Sequence, residues 1–500
     1  MYKFATIVCC VLFLTSCQTD ALDSEDNQTI TTKSAVKVMP VSQINTSIEQ
    51  SFKNGERFSW KTASQDLLWS ATVHGQGVLT IGYGQDNERY RTSENPRLTS
   101  TKQDIINLVI NSEGRKKSEV VLREEAVLNV IHVLVKDPNT LMLLRELDDI
   151  RYIEPSGYDL FKPTETATRS SSGCGEDGST IYNNDMSDIS PGAQMSWNYK
   201  RHKIHRAWNK STGAGVTVGV IDTGVSESQS LMGSMFNSGD SSGRTVELYG
   251  TFIDSPWPWS TNYDGPYDLC GHGTSMTATV AAPRNTINMP TGVAYNASLV
   301  SYRGTEDVLL DDYHEKLGVS DALIALGNNS DVQIISMSIG SPLGIGNVED
   351  ALIYAYDQGK LIFAAGGTST ELTNWYPVIF PAYLPQAIAV TGVTDNKLSY
   401  DQCAACHDGA EIEFTIMMER KNNSSRHAAV AGFSDGLYDY IGGSSVATAT
   451  TAGIAALVWS KFPEFTREQV LQKMRESSDL YPSRDANFGY GNINAFKAVR

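Results

Sequence analysis

Three short stretches hold residues that could together carry out acyl transfer. Gly442–Leu457 reads G-G-S-S-V-A-T-A-T-T-A-G-I-A-A-L: two glycines, a Ser-Ser pair, then small and apolar residues with no proline. That pattern predicts a tight loop opening into a buried helix. Ser445 then stands at or near the helix N-terminus, where unpaired N–H groups and the positive end of the helix dipole gather. A serine so placed can attack a carbonyl while neighbouring amides receive the oxyanion. Val216–Val225, V-T-V-G-V-I-D-T-G-V, is a continuous apolar run ending in Asp222 and a Thr-Gly turn. A buried parallel strand reads this way, and its C-terminal end is where α/β sheets hold their sites. Gly271–Ala282, G-H-G-T-S-M-T-A-T-V-A-A, sets His272 between two glycines, ahead of a second small-residue helix. Taken singly, such residues are more often caps, turns or satisfied core groups. In the order Asp, His, Ser they match one of the convergent orders of the serine-nucleophile triad.

The motifs I-D-T-G, G-H-G-T and G-S-S-x-A resemble those of the subtilisin-like serine peptidases, the subtilase family. Phe488–Val499, F-G-Y-G-N-I-N-A-F-K-A-V, resembles that family's closing segment, and the likeness spans roughly residues 195–500. The resemblance implies a serine endopeptidase that hydrolyses peptide bonds through an acyl-enzyme. Ser445 would be the nucleophile, and His272 its general base and later acid. Asp222 would fix the imidazole tautomer and stabilise the imidazolium. The resemblance further implies that Ser338, Ile339 and Gly340 form an edge strand pairing with an extended peptide. Ala364, Ala365 and Gly366 would form the opposite wall of the pocket for the residue before the scissile bond.

The sequence also departs from the family. Gly367 follows A-A-G where the family usually has Asn, whose amide donates to the oxyanion. Loss of that donor costs about 10²–10³ in turnover, a magnitude borrowed from a subtilisin. The oxyanion region is then left with the Ser445 N–H at Gly367's side, and Thr368, Ser369 and Asn374 are the nearby groups able to substitute. A slow peptidase is expected, with Gly367→Asn raising turnover; a positive φ at 367 would be costly for most side chains, with Asn among the more tolerated. Ala449 stands where Pro is common and Ser444 where Thr is usual; both bear on helix geometry more than chemistry. The Gly367 departure keeps a second function in view, a weakened or silent subtilase that binds peptides.

The elements that must position these residues can also be read. From Trp208 onward apolar strands alternate with helices: Ser298–Tyr302, Val332–Ser338, Leu361–Ala365 and Ala387–Val393 are strands. Asn347 is expected to cap a helix over Glu349–Gln358 that Gly359 ends, and Thr466 with Gln469 opens the last long helix by a capping box. This alternation predicts an α/β fold with a doubly wound, mostly parallel sheet over residues 191–500. Upstream, residues 40–100 read as polar with scattered strands such as Val78–Tyr83. Then come helical spacing in Lys102–Asn111, two strand-like runs in Glu119–Val135, a helix opened by Asp137-Pro138, and the strand Arg151–Glu154. The order over residues 41–160 is that of a small α+β ferredoxin-like domain. It resembles a subtilase propeptide, which implies a folding chaperone and inhibitor as the enzyme's own partner; a free-standing binding domain is the other reading. Residues 161–190, with the Thr-, Ser- and Gly-rich Thr164–Thr180, form the expected linker and maturation site.

Bulk properties bound the rest. The chain has 500 residues and a formal charge of −17 without a basic run, which argues against nucleic acid as a partner. Lys3 and the apolar Phe4–Leu14 make residues 1–16 a signal peptide, too short for a membrane span. The L-T-S-C ending resembles a bacterial lipobox, which implies export with Cys17 lipidated and a membrane partner through that anchor. Gln18 after it points to an outer membrane, and residues 17–40 form an acidic tether. Of seven cysteines, Cys9 and Cys10 leave with the signal, and Cys174, Cys270, Cys403 and Cys406 remain for disulfides in three possible pairings. Cys403–Cys406 and Cys174–Cys270 are preferred, the second holding the new N-terminus beside His272. Cys403-Ala-Ala-Cys406-His407 also fits a haem-attachment pattern, but as a single copy it is expected to be a local disulfide. No cofactor is required and no metal site is expected. Structural calcium near Asp264 and Asp268 lacks a diagnostic spacing, so both are expected to be solvated loop carboxylates.

Overall fold

Four strands, β1 (Val78–Tyr83), β2 (Val121–Glu124), β3 (Val130–Leu134) and β4 (Ile150–Glu154), pair antiparallel in the order β2-β3-β1-β4. This is a computed structural model, and it describes residues 37–91, 95–160, 174–368, 377–396 and 399–500. Cys17, residues 161–173, Ser369 and Asn374 lie outside the described residues. Asn95 caps the helix Pro96–Glu113, proline occupies its first turn, and Gly114 in the left-handed region ends it. Ile105, Ile106 and Val109 are buried beneath it. Asp137 opens the helix Pro138–Arg145 by accepting from the Asn139 amide at 2.9 Å. Two helices, Val41–Lys53 and Gln65–His74, fill a region whose polar composition suggested scattered strands. The helical signal is there in Ile44, Ile48 and Phe52, all buried and four apart.

A hairpin of β5 (Met186–Ile189) and β6 (Ala193–Ser196) leads into the larger sheet. Its strands are β7 (Thr217–Asp222), β8 (Val246–Gly250), β9 (Ser298–Arg303), β10 (Val332–Met337), β11 (Leu361–Ala365), β12 (Ala387–Thr394), β13 (Ile412–Arg420), β14 (Asn423–Ala431) and β15 (Tyr438–Ile441). They run in the order β15-β14-β13-β12-β11-β10-β7-β9-β8. Pairing is parallel from β8 to β13, and β14 and β15 join antiparallel. The doubly wound, mostly parallel sheet expected from the alternating runs is therefore present. Successive strand residues face opposite sides. Val218 and Val220 join one core with the helices His272–Ala281 and Ser444–Lys461. Ile221 joins the other with Tyr313–Asn328 and Gly346–Asp357. The strand order reverses at β7 and β10, and at such a switch point α/β sheets open a crevice at the strands' C-terminal ends.

The small sheet lies on the second helix pair. Val78 and Leu134 pack with Tyr313 and Leu317, while Leu128 and Val130 join the core of Val319, Val348 and Leu352. Asp350, fully buried, is paired with Arg151 at 2.7 Å and Arg89 at 2.9 Å, and accepts from the Tyr152 hydroxyl at 2.9 Å. The buried Lys316 ammonium donates to the carbonyls of Ser156 (2.8 Å), Tyr158 (3.4 Å) and Asp311 (2.6 Å). Asn347 is not the cap it was expected to be. The helix starts at Gly346, and Asn347 lies buried in its first turn, donating to the Lys316 carbonyl at 3.0 Å. The Gly346 amide is met instead by Glu154 of the small sheet, at 2.8 Å.

Candidate active site

Asp222 closes β7 with its carboxylate fully buried. Its Oδ1 accepts from the Thr223 amide at 2.9 Å and faces His272 Nδ1 at 2.7 Å. His272 opens the helix His272–Ala281 after Gly271, which has φ +92°. Both flanking glycines are needed for close approach. A Cβ on Gly271 would stand 2.4 Å from the Gly175 carbonyl oxygen, and one on Gly273 2.5 Å from that of Gly224. Burial pulls the His272 pKa down, but the charge and hydrogen bond of Asp222 outweigh it, and the net shift is upward. A neutral imidazole held this way takes up a proton more readily than a free one, as a general base requires.

Asp268 corrects the expectation of a solvated loop carboxylate. It is buried and accepts from the amides of Cys270 (2.8 Å), Gly271 (2.8 Å) and Thr274 (2.9 Å) and from the Thr274 hydroxyl (2.6 Å). The Thr223 hydroxyl donates to it at 2.9 Å and accepts from the Gly273 amide at 2.8 Å. One carboxylate thus ties the turn after Asp222 to the loop that carries His272. Burial raises its pKa against the pull of these donors. The sequence cue was an Asp just ahead of C-G-H-G-T, in a position to cap a helix start. Asp264, by contrast, is exposed, at 3.4 Å from Arg303. Among the described residues no group of three or more His, Cys, Asp or Glu is placed to hold a metal ion. A Cys174–Cys270 disulfide fastens residue 174 to the same loop, and the Gly175 amide donates to the Cys270 carbonyl at 2.8 Å.

Ser445 is the second residue of the helix Ser444–Lys461, after Gly443 at φ +80°. Its hydroxyl donates to the Ser338 carbonyl at 3.3 Å, and the Ser338 hydroxyl donates to the Ser445 carbonyl at 3.0 Å. Among the described residues no hydrogen bond joins Ser445 to His272, although their two helices pack side by side. Catalytic hydrogen bonds of unliganded sites are often of this loose kind. Ala364 and Ala365 end β11 buried, and the Gly366 amide donates to the Val390 carbonyl at 2.8 Å. The Gly340 amide donates to the Val308 carbonyl at 3.0 Å, and the Gly340 carbonyl accepts from the Leu310 amide at 2.9 Å.

The end of β11 meets the helix Ser444–Lys461 at Gly367, whose amide donates to the Ser444 hydroxyl at 3.0 Å. The Ser444 amide in turn donates to the Thr368 hydroxyl at 3.3 Å. Gly367 has φ +130°, and a Cβ there would stand 2.3 Å from His407 Nδ1. This overturns the expectation that Gly367→Asn raises turnover, because the backbone is strained for a side chain and the space is filled. His407 follows the Cys403–Cys406 disulfide, and its Nδ1 lies 3.2 Å from the Pro377 carbonyl. A carbonyl only accepts, so Nδ1 carries the proton in that contact.

A match to the Subtilase family covers residues 213–491, which take in Asp222, His272 and Ser445. Subtilisin E of Bacillus subtilis (strain 168) is 30% identical over 292 residues, 58% of this chain and 67% of that protein. Thermitase of Thermoactinomyces vulgaris is 26% identical over 298 residues, 59% of this chain and 92% of that protein. The fold is similar to that of fervidolysin from Fervidobacterium pennivorans, a keratinolytic enzyme related to subtilisin. That similarity has a TM-score of 0.57 and 18% identity, and covers 85% of this chain and 60% of that one. With more than half its length matched, the chain belongs to the subtilase family of serine peptidases.

Proposed function

We propose that the protein is an exported, lipid-anchored serine endopeptidase that cleaves peptides through Asp222, His272 and Ser445. The observation that carries this reading is the buried carboxylate–imidazole pair, 2.7 Å between Asp222 Oδ1 and His272 Nδ1, on the crevice side of β7. Ser445 Oγ attacks the peptide carbonyl as His272 takes its proton; collapse of the tetrahedral intermediate returns that proton to the leaving amine. Water then repeats the sequence and releases the acyl group. The Ser445 N–H and the helix N-terminus receive the oxyanion, and the Thr368 hydroxyl, which accepts from the Ser444 amide at 3.3 Å, lies beside that N-terminus. In the same reading residues 41–160 are the inhibitor and folding partner, cut away within 161–190. Cys17 is the lipid attachment, and the outer membrane or cell surface is the destination.

Ser445→Ala in the full-length chain tests the reading. It should abolish both peptide hydrolysis and fluorophosphonate labelling and leave an uncleaved precursor. Unchanged hydrolysis in that variant would sink the assignment. A wild-type protein that binds peptides but is neither labelled nor active would establish the silent, peptide-binding alternative.

A further inference from the structure

Ser338–Gly340, the segment that continues β10 beyond Met337, is the edge on which an extended substrate would pair, and one end of it is already occupied. A peptide on this edge lays the residue before the scissile bond beside Ser338, whose carbonyl touches Ser445 Oγ at 3.3 Å. A strand's polar groups point to the same edge at every second residue. Gly340 would therefore serve the third residue upstream of the cut. Its N–H donates to the Val308 carbonyl at 3.0 Å, and its C=O accepts the Leu310 N–H at 2.9 Å. Leu309 stands opposite Gly340 in a parallel bridge; a substrate placed as above would run antiparallel, and the two share only the Gly340 N–H and C=O that they would occupy.

We propose that Val308–Leu310 is a built-in end wall of the cleft, confining upstream recognition to the two residues before the cut. The inference rests on the peptidase reading above and adds the length of peptide the site can read. The wall is fastened at both ends, which distinguishes it from a lid. On the near side the Thr305 hydroxyl lies 2.8 Å from both the Asp307 carbonyl and Glu315 Oε1. Asp307 Oδ1 then accepts from the Leu309 amide at 2.7 Å. On the far side Lys316 holds the Asp311 carbonyl at 2.6 Å, and Asp312 caps the following helix through the His314 amide at 2.7 Å. Leu310, 1% exposed, is rooted in the core with Val319 and Ile339. Substrates would be peptides whose chain ends or turns away within three residues upstream of the cut.

The test is a length series on the full-length protein, using N-acyl peptide p-nitroanilides with two, three and four residues before the leaving group. With an open edge, the two backbone hydrogen bonds at Gly340 would raise kcat/KM roughly tenfold or more on reaching the third residue. With the wall, kcat/KM should stay within about threefold across the series. A wild-type rise of about tenfold or more at the third residue overturns the proposal. The double variant Val308→Gly, Leu309→Gly and the single variant Leu310→Pro, which lacks the donating N–H, should favour the longer substrates. If either folds and favours them no more than wild type does, the proposal is equally overturned; if neither folds, the wild-type series decides. No hydrolysis of any substrate, with no fluorophosphonate label on Ser445, would be a failure of the peptidase reading instead.

Discussion

His272 and His407 invite comparison. Each follows a disulfide cysteine closely, in Cys270-Gly271-His272 and Cys406-His407, and each is almost excluded from solvent, at 3% and 2% exposure. They differ in what Nδ1 faces: the Asp222 carboxylate at 2.7 Å for His272, and the Pro377 carbonyl at 3.2 Å for His407. Either partner fixes a tautomer, but only the carboxylate stabilises positive charge on the ring as it forms. One imidazole thereby has the partner that proton transfer requires, and the other fills the space beside Gly367. Neither burial nor a neighbouring cysteine tells the two roles apart; the partner of Nδ1 does.

The sharpest way to break this contrast is Asp222→Asn, which gives His272 a neutral partner. Turnover should fall by about 10⁴, as in other serine triads. The pH profile should move as well. His272 must be neutral to act as base, and its raised pKa places the acid limb of kcat/KM above the ordinary histidine value of 6.5. In the variant the pull of Asp222 is gone and only the smaller pulls of Asp268 and Asp307 oppose burial, so the limb should shift to lower pH. A limb that stays put would show that another group sets it.

Next in size are the disulfides. Cys174–Cys270 spans 96 residues and Cys403–Cys406 spans three. By loop-closure entropy the first stabilises by about 4–5 kcal/mol and the second by about 2 kcal/mol. Denaturant titrations of Cys174→Ser and Cys403→Ser should show that ranking. The reverse order would mean that the His407 loop is the main prop of the fold.

The smallest effect tests His407 as a space filler. Gly367→Asn should lose activity and stability, because its Cβ would meet His407 Nδ1 at 2.3 Å. His407→Ala opens the space, so the double variant should be less impaired than the two single losses added together. The coupling should be about 1 kcal/mol in thermal melts. Simple additivity would leave φ +130° as the whole cause.

What could be read from the sequence was whatever rests on apolar periodicity and local motifs. β11 spans Leu361–Ala365 as read, and the run ending in Asp222 gave the strand that carries the candidate base's partner. Asp268 was misread because its work is done by hydrogen bonds to amides of neighbouring loops, which leave no apolar signature. The helix Val41–Lys53 is hard to read because polar residues outnumber its buried stripe of Ile44, Ile48 and Phe52. The cap of the helix Gly346–Asp357 could not be found locally, since it comes from Glu154. The strain at Gly367 depends on a backbone angle that no residue type announces, and on a histidine forty residues further along the chain.

That borrowed cap has a consequence for the order of events during synthesis. Glu154 precedes the amide it caps by 192 residues, and Arg89 and Arg151, which neutralise Asp350, come earlier in the chain still. Domains fold in the order in which the ribosome releases them. Where the chain folds from its N-terminus onward, the residues of the small sheet precede the helix Gly346–Asp357, and the helix meets a cap and counter-charges that come before it in the chain. The instruction lies in chain direction: the same contacts encoded in the reverse order would leave a buried aspartate waiting for its arginines.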